Sequence, residues 1–207
     1  MATIEADRVD GWLSDLDLQT IDRGERDGIT SWDLSLDGLR RADIRFTLIL
    51  DPARVLLLWV HYAPPVNDAF RVSYRQFLRW NDELPYVKFA LSGVEDRPVL
   101  TSEVDVEGLT SELLGLGIAR LLTVCDLLLD ESVHWLWPGA KKPPGMGRPS
   151  RQAALFERYA TDLRELRGDI VETTSGATSA MLPTATPAAG TTSTASSMAG
   201  SDEASQD

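Results

Sequence analysis

Glu131 and His134 stand three residues apart, a spacing that puts both side chains on one helix face. Paired Glu-x-x-His units of this kind hold di-iron centres, but such a centre needs two of them plus further helical glutamates. The chain has two histidines in all, and His61 falls in a strand-like stretch, so a surface salt link is the simpler reading of the pair. Cys125 is the sole cysteine and lies on a leucine-rich helical face with no neighbouring Lys, Arg or His to favour its thiolate. No Gly-x-Ser-x-Gly elbow is present. Asp15 with Asp17 and Asp126 with Asp130 are carboxylate pairs of a common sort, and nothing in the pattern desolvates either one as acid–base work requires. The glycines between Gly139 and Gly147 lack the Gly-Lys-Ser/Thr ending and the leading strand of a phosphate loop. The sequence therefore points to no catalytic residue, no metal site and no cofactor.

Asn81 carries a different signal. Phe70, Tyr74, Phe77 and Leu78 form one helical stripe, and Asn81 falls among them where a hydrocarbon belongs. Its amide has two open roles: satisfying backbone groups where helix gives way to strand, or bonding a client's backbone. Leu84 and Pro85 follow, proline stopping the helix and extending the residue before it, and Phe89 then sits in a strand. The chain has six tryptophans. Trp12, Trp32 and Trp59 fit inward positions. Trp80, Trp135 and Trp137 are harder to bury by pattern, and either anchor a partner or close the domain.

The elements that position these residues follow from periodicity. Val9, Trp12, Leu13 and Leu16 mark a first helix, with Thr3 as a cap. Gln19 to Thr30 is polar and reads as a loop. Trp32, Leu34 and Leu36, then Phe46, Leu48 and Leu50, alternate as strands. Val55 to Tyr62 is almost wholly apolar, as a strand covered on both faces would be. A second helix, capped by Asn67 or Asp68, ends at Pro85. Two more strands carry Val87, Phe89 and Leu91, then Leu100, Val104 and Val106. Thr110 caps a third helix whose stripe of Leu114, Ile118, Leu121, Cys125 and Leu128 is broad enough to need a sheet on one side and a second surface on the other. Residues 138–149 read as a Pro/Gly linker whose Lys141, Lys142 and Arg148 either touch an acidic surface or, more simply, solubilise it. Residues 150–172 read as an appended helix capped by Ser150. Residues 173–207, rich in Thr, Ser, Ala, Gly and Pro, read as a disordered tail.

The order is α-β-β-β-α-β-β-α plus an appended C-terminal helix: an α+β domain over residues 1–137 with a mostly antiparallel five-stranded sheet. From Trp12 to about Trp137 the chain resembles the YbjN domain family, which shares the fold of type III secretion chaperones. The resemblance rests on Leu78-Arg79-Trp80-Asn81-Asp82-Glu83-Leu84-Pro85-Tyr86-Val87-Lys88-Phe89-Ala90-Leu91, with Val104-Asp105-Val106-Glu107-Gly108-Leu109-Thr110 as a second match. It implies a regulator of sensory transduction without established chemistry. Its chaperone-fold relatives form dimers and hold client segments. No secretion-system motif is visible, and the chain after Pro138 lies outside the usual domain.

Charge narrows the partners. The chain has 207 residues and a net charge of −12, of which Asp202, Glu203 and Asp207 supply the share of the tail. So negative a protein repels phosphate backbones and anionic lipid, which excludes nucleic acid and membrane surfaces and suits a basic peptide. The N-terminus lacks a hydrophobic signal region, no apolar run spans a bilayer, and the lone cysteine fits a reducing compartment, so the cytoplasm is the expected location. The expectation is a non-catalytic protein-binding module, chaperone-like or regulatory, that is homodimeric and accepts another protein's segment on a sheet edge or aromatic groove. The alternatives are a structural subunit of a larger complex and a small acidic enzyme.

Overall fold

The computed structural model describes residues 4–65, 71–136, 147–164 and 166. Helix α1 (Ala6–Asp15) precedes four strands, β1 (Thr20–Arg26), β2 (Ile29–Leu36), β3 (Ile44–Asp51) and β4 (Val55–His61). Helix α2 (Arg71–Glu83), strands β5 (Lys88–Ser92) and β6 (Arg97–Asp105), and helices α3 (Ser111–Leu127), α4 (Leu129–Leu136) and α5 (Ala153–Arg158) follow. The six strands form one antiparallel sheet in the order β1-β2-β3-β4-β6-β5. The fold is α+β, with six strands rather than the five expected.

The added strand is β1, in the stretch read as a loop. All seven of its residues are exposed, so it shows no apolar alternation, and it is held by its pairing with β2. The hairpin turn is Asp27-Gly28, with φ of 54° and 78°. Two consecutive positive φ values match the twist of a two-residue hairpin, and Asp-Gly tolerates them. Arg23 of β1 reaches Asp10 on α1 at 3.3 Å and lies over the Trp32 ring, whose indole donates to Asp10 at 2.6 Å.

Strand β4 is not covered on both faces. Leu56, Leu58 and Val60 are buried, while Val55, Leu57, Trp59 and His61 on the opposite side are partly exposed. Residues 4 and 5 precede α1, which begins at Ala6 with Glu5 at the cap position and no side-chain cap; Thr3 lies outside the described residues. Asn67 and Asp68 lie outside them too. Thr110 caps α3, its hydroxyl accepting from the Leu113 N–H at 3.2 Å.

Eleven residues of α3 are buried. One side faces the sheet, where Gly117 lies against Leu58. The second surface is supplied by the chain's own C-terminal segment: Leu155, Phe156, Tyr159, Leu163 and Leu166 belong to the same core cluster as Leu114, Ile118 and Leu121. That segment is α5, interrupted at Tyr159, followed by helical residues 160–164; residues 165 and 167–172 of the expected helix lie outside the described residues. Ser150 does not cap α5, whose cap position is Gln152; its hydroxyl donates to the Asp37 carbonyl at 3.3 Å and accepts from the Gln152 N–H at 3.2 Å. Residues 138–146 of the expected linker, and the tail from 173 to 207, lie outside the described residues.

Candidate functional site

The motif around Asn81 is built by the α2–β5 junction. Leu84 N–H still bonds Trp80 C=O at 2.8 Å, Pro85 ends the ladder, and Tyr86 turns the chain with φ of 64°. The Asn81 carboxamide then spans the gap. Its Nδ2 donates to Phe89 C=O at 3.0 Å and its Oδ1 accepts from Phe89 N–H at 2.5 Å. Lys88 Nζ donates to the Asn81 carbonyl at 2.5 Å. The amide is spent on the protein's own backbone. Leu84 and Phe89 are buried, and the Phe89 ring stacks on Phe77 at 5.0 Å and meets Tyr62 edge-on at 5.2 Å.

Trp80 is 0% exposed, packed at 5.1 Å from Phe89. It is a core residue and not a surface anchor: the stripe edge that pattern left open is closed by the β5 aromatic and by α4, whose Glu131 lies near the indole. Trp135 lies on α4 with its side chain outside the described set, and Trp137 lies outside the described residues.

Two buried carboxylates organise the loop between β2 and β3. Asp126 on α3 accepts the N–H groups of Leu39, Arg40 and Arg41 at 2.5, 3.2 and 3.1 Å. Burial pushes its pKa up and those three donors pull it back, leaving it raised. Gly38 is required there, because a β-carbon would lie 2.6 Å from both Asp126 oxygens. Asp37, 1% exposed, accepts from the guanidinium groups of Arg151 at 2.8 and 2.9 Å and Arg148 at 2.8 and 3.0 Å, and from the N–H groups of Asp43 and Arg151. Burial raises its pKa, but the bonds from Arg151, Asp43 and Arg148 win and hold it well below the usual carboxylate range. Arg148 is therefore an anchor of the C-terminal segment and not a solubilising linker cation. Sequence reasoning missed Asp37, since its arginine partners lie more than a hundred residues away.

Among the described residues considered for chemistry, no acid–base or nucleophilic constellation forms. Cys125 is buried, and burial pushes its thiol up to about 12. Tyr62, pushed up by burial, shares a 2.7 Å hydrogen bond with Ser132 beneath the Arg41 guanidinium. Asp130 forms a two-point pair with Arg40 at 2.7 and 3.0 Å. The His134 side chain lies outside the described set. Among the described residues no group of three or more His, Cys, Asp and Glu is placed to hold a metal ion. No described helix is long and apolar enough to cross a membrane.

The remaining feature is the sheet face turned away from Trp32, Leu34, Phe46, Leu48, Leu56 and Leu58 and the helices that bury them. Cross-strand register places Ile49 beside Leu57, Thr47 beside Trp59, and Asp51, Val55 and Asp105 in one row. Ile49, Leu57 and Trp59 are partly exposed, with no described helix over them. Beside Ile49, residues Gly24, Arg26, Ile29 and Ser31 edge an open hollow of about 430 Å³. The face is basic at one end (Arg45, His61, Arg97) and acidic at the other (Asp51, Glu103, Asp105), following the strand register.

Residues 5–132 match the family model YbjN, described as "putative bacterial sensory transduction regulator". The chain belongs to the YbjN family. The match takes in the Asn81 motif, the whole sheet and α3, and it ends before the Arg148–Arg151 anchor. A solved structure of an E. coli family member, described as "YbjN, a putative transcription regulator", is similar over 62% of this chain and 94% of that chain, at 16% identity and a TM-score of 0.45. No curated protein matches the chain.

Proposed function

We propose that this YbjN-family protein is a non-catalytic, cytoplasmic protein-binding module that acts in regulation by holding a segment of another protein on its open sheet face. The observation that carries the reading is the partly exposed run Ile49–Leu57–Trp59, next to the acidic row of Asp51 and Asp105 and to Glu103. Large aromatic and aliphatic side chains on an uncovered face are the usual anchors of a protein interface. The neighbouring carboxylates and the net charge of −12 select a segment that is apolar in the middle and basic at its end. A second copy is the other occupant to be tested, because this face carries both signs and a two-fold axis parallel to the sheet would bring the basic end of one copy against the acidic end of the other. That would give the homodimer expected from the family resemblance. Among the described residues no comparable feature favours the alternatives of a structural subunit and a small acidic enzyme.

A photo-crosslinking residue at position 59, expressed in the native host, tests the reading. The expected result is one dominant adduct with another protein, lost with Leu57→Asp and absent when the crosslinker is at Val94, which is fully exposed on the β5–β6 turn. Adducts only between copies of this chain would replace the client with a dimer. Equal, diffuse labelling from positions 59 and 94 would overturn the docking face.

A further inference from the structure

At the basic end of the sheet, a hollow of about 300 Å³ is lined by Arg41, Arg45, His61, Tyr62 and Arg97, with Pro64 and Pro65 at its rim. These side chains come from separate places in the chain: the loop before β3, then β3, β4 and β6. Antiparallel pairing makes them converge. Arg45 and His61 each lie one residue beyond the Phe46–Val60 pair, and His61 pairs with Val99, two residues from Arg97. Two guanidinium groups, those of Arg45 and Arg97, face the hollow in a protein of net charge −12, while the Arg41 guanidinium is buried over the Tyr62 ring and bonded to the Tyr62 carbonyl at 2.9 Å. Like charges repel in an empty site, so their convergence costs stability unless a counter-charge is present.

The carboxylates nearby are already engaged. Asp43, also in the lining, is bonded to Arg148 and Arg151 at 3.0 and 3.1 Å. Asp33 accepts from Thr47 at 2.6 Å and reaches Arg45 at 3.5 Å. Among the described residues Arg97 has no ion-pair partner. The Nδ1 of His61 is buried with no hydrogen-bond partner. That nitrogen is closed off from the hollow, so the ring edge a ligand there can reach is the one carrying Nε2.

We propose that this hollow binds a small phosphomonoester, its phosphoryl oxygens held by Arg97 and Arg45 and contacted by His61. Planar guanidinium forks suit a tetrahedral oxyanion, giving two bonds from each fork. The volume is at the lower end of small-ligand sites and leaves room for a compact organic group. Burial, then Arg45 and Arg97, hold the His61 imidazole below its ordinary pKa, with Asp33 opposing them. An anion seated among these groups, with Asp43 also in the lining, reverses the local sign and raises the imidazole pKa. The hollow shares Arg45, His61 and Arg97 with the basic end of the docking face but does not rest on that reading, since ligand and partner are measured separately.

The chain has two histidines, so its imidazole resonances can be followed by NMR, with His134→Gln assigning them. Inorganic phosphate and glycerol 3-phosphate would be titrated against sodium chloride and succinate at matched ionic strength. The expected result is a saturable shift of the His61 resonance with both phosphates, tighter for the ester, with the His61 pKa rising on saturation. Arg97→Gln should weaken the effect at least tenfold and Arg97→Lys should restore part of it, with melting temperatures confirming that both variants fold. A shift equalled by chloride or succinate, an ester no tighter than free phosphate, or an unchanged shift in Arg97→Gln would each overturn the proposal.

Discussion

Asn81 and Phe89 are joined by two hydrogen bonds running in opposite directions, side chain to main chain, at 3.0 and 2.5 Å. The pair closes the helix-to-strand junction and starts β5 in register with β6. Asn81→Ala leaves both Phe89 backbone groups without their partner at a half-buried place. The expected loss is about 2–3 kcal/mol of unfolding free energy in urea titrations. Asn81→Asp keeps the acceptor and turns a carboxylate toward the Phe89 carbonyl, so it should recover little of that loss.

Gly115 touches the Tyr159 ring, leaving no room for a β-carbon. The Tyr159 hydroxyl donates to Glu112 at 3.0 Å, and Arg158 pairs with the same carboxylate. Gly115→Ala should therefore destabilise by about 1–3 kcal/mol through overpacking, despite alanine's better helix propensity. Hydrogen exchange should show the loss concentrated in residues 150–164.

Asp37 and Asp126 respond to acid in opposite senses. The Asp37 pKa is depressed by folding, so its stabilisation is complete above the unfolded value near 3.8 and is lost as pH falls through its folded value. Asp126 is raised, so its charged form costs stability above its folded pKa, and protonation relieves that cost as pH falls toward the unfolded value. Asp37→Asn should flatten the acid limb of a stability-against-pH curve below about pH 4. Asp126→Asn should instead remove the opposing rise just above it. At neutral pH Asp37→Ala should cost about 3 kcal/mol, the lower end for a broken buried pair, because both arginines reach solvent.

Cys125 should be inert in the native protein. Its thiol is buried and shifted to about 12, so thiolate is scarce at neutral pH. Labelling by a disulfide reagent should proceed at the rate of opening, and should accelerate with urea in step with unfolding. Immediate stoichiometric labelling in buffer would contradict the packing of α3.

The alternating strands, the stop at Pro85, the Thr110 cap and the broad face of α3 were legible because each depends on neighbours in the sequence. Strand β1 was not: it lies at a sheet edge with every side chain in water, so its one local sign was the Asp27-Gly28 turn. Strand β4 misled in another way, because Leu57 and Trp59 look like core residues yet lie on the uncovered face. The convergence of Arg45, His61 and Arg97 depends on strand register, which periodicity cannot supply. Asp37 and Arg148 depend on where the chain returns after residue 146, which no local pattern encodes. Trp80 shows the limit of a helical wheel, since what buries it comes from β5 and α4.

The family match stops at residue 132, but the hydrophobic interior does not. A gene fragment trimmed to that boundary would lay bare the leucines that Phe156, Tyr159 and Leu163 now shield, and its product should clump or fail to accumulate. Supplying residues 147–166 as a separate peptide should restore solubility, making this protein a natural candidate for a split reporter assembled from two pieces.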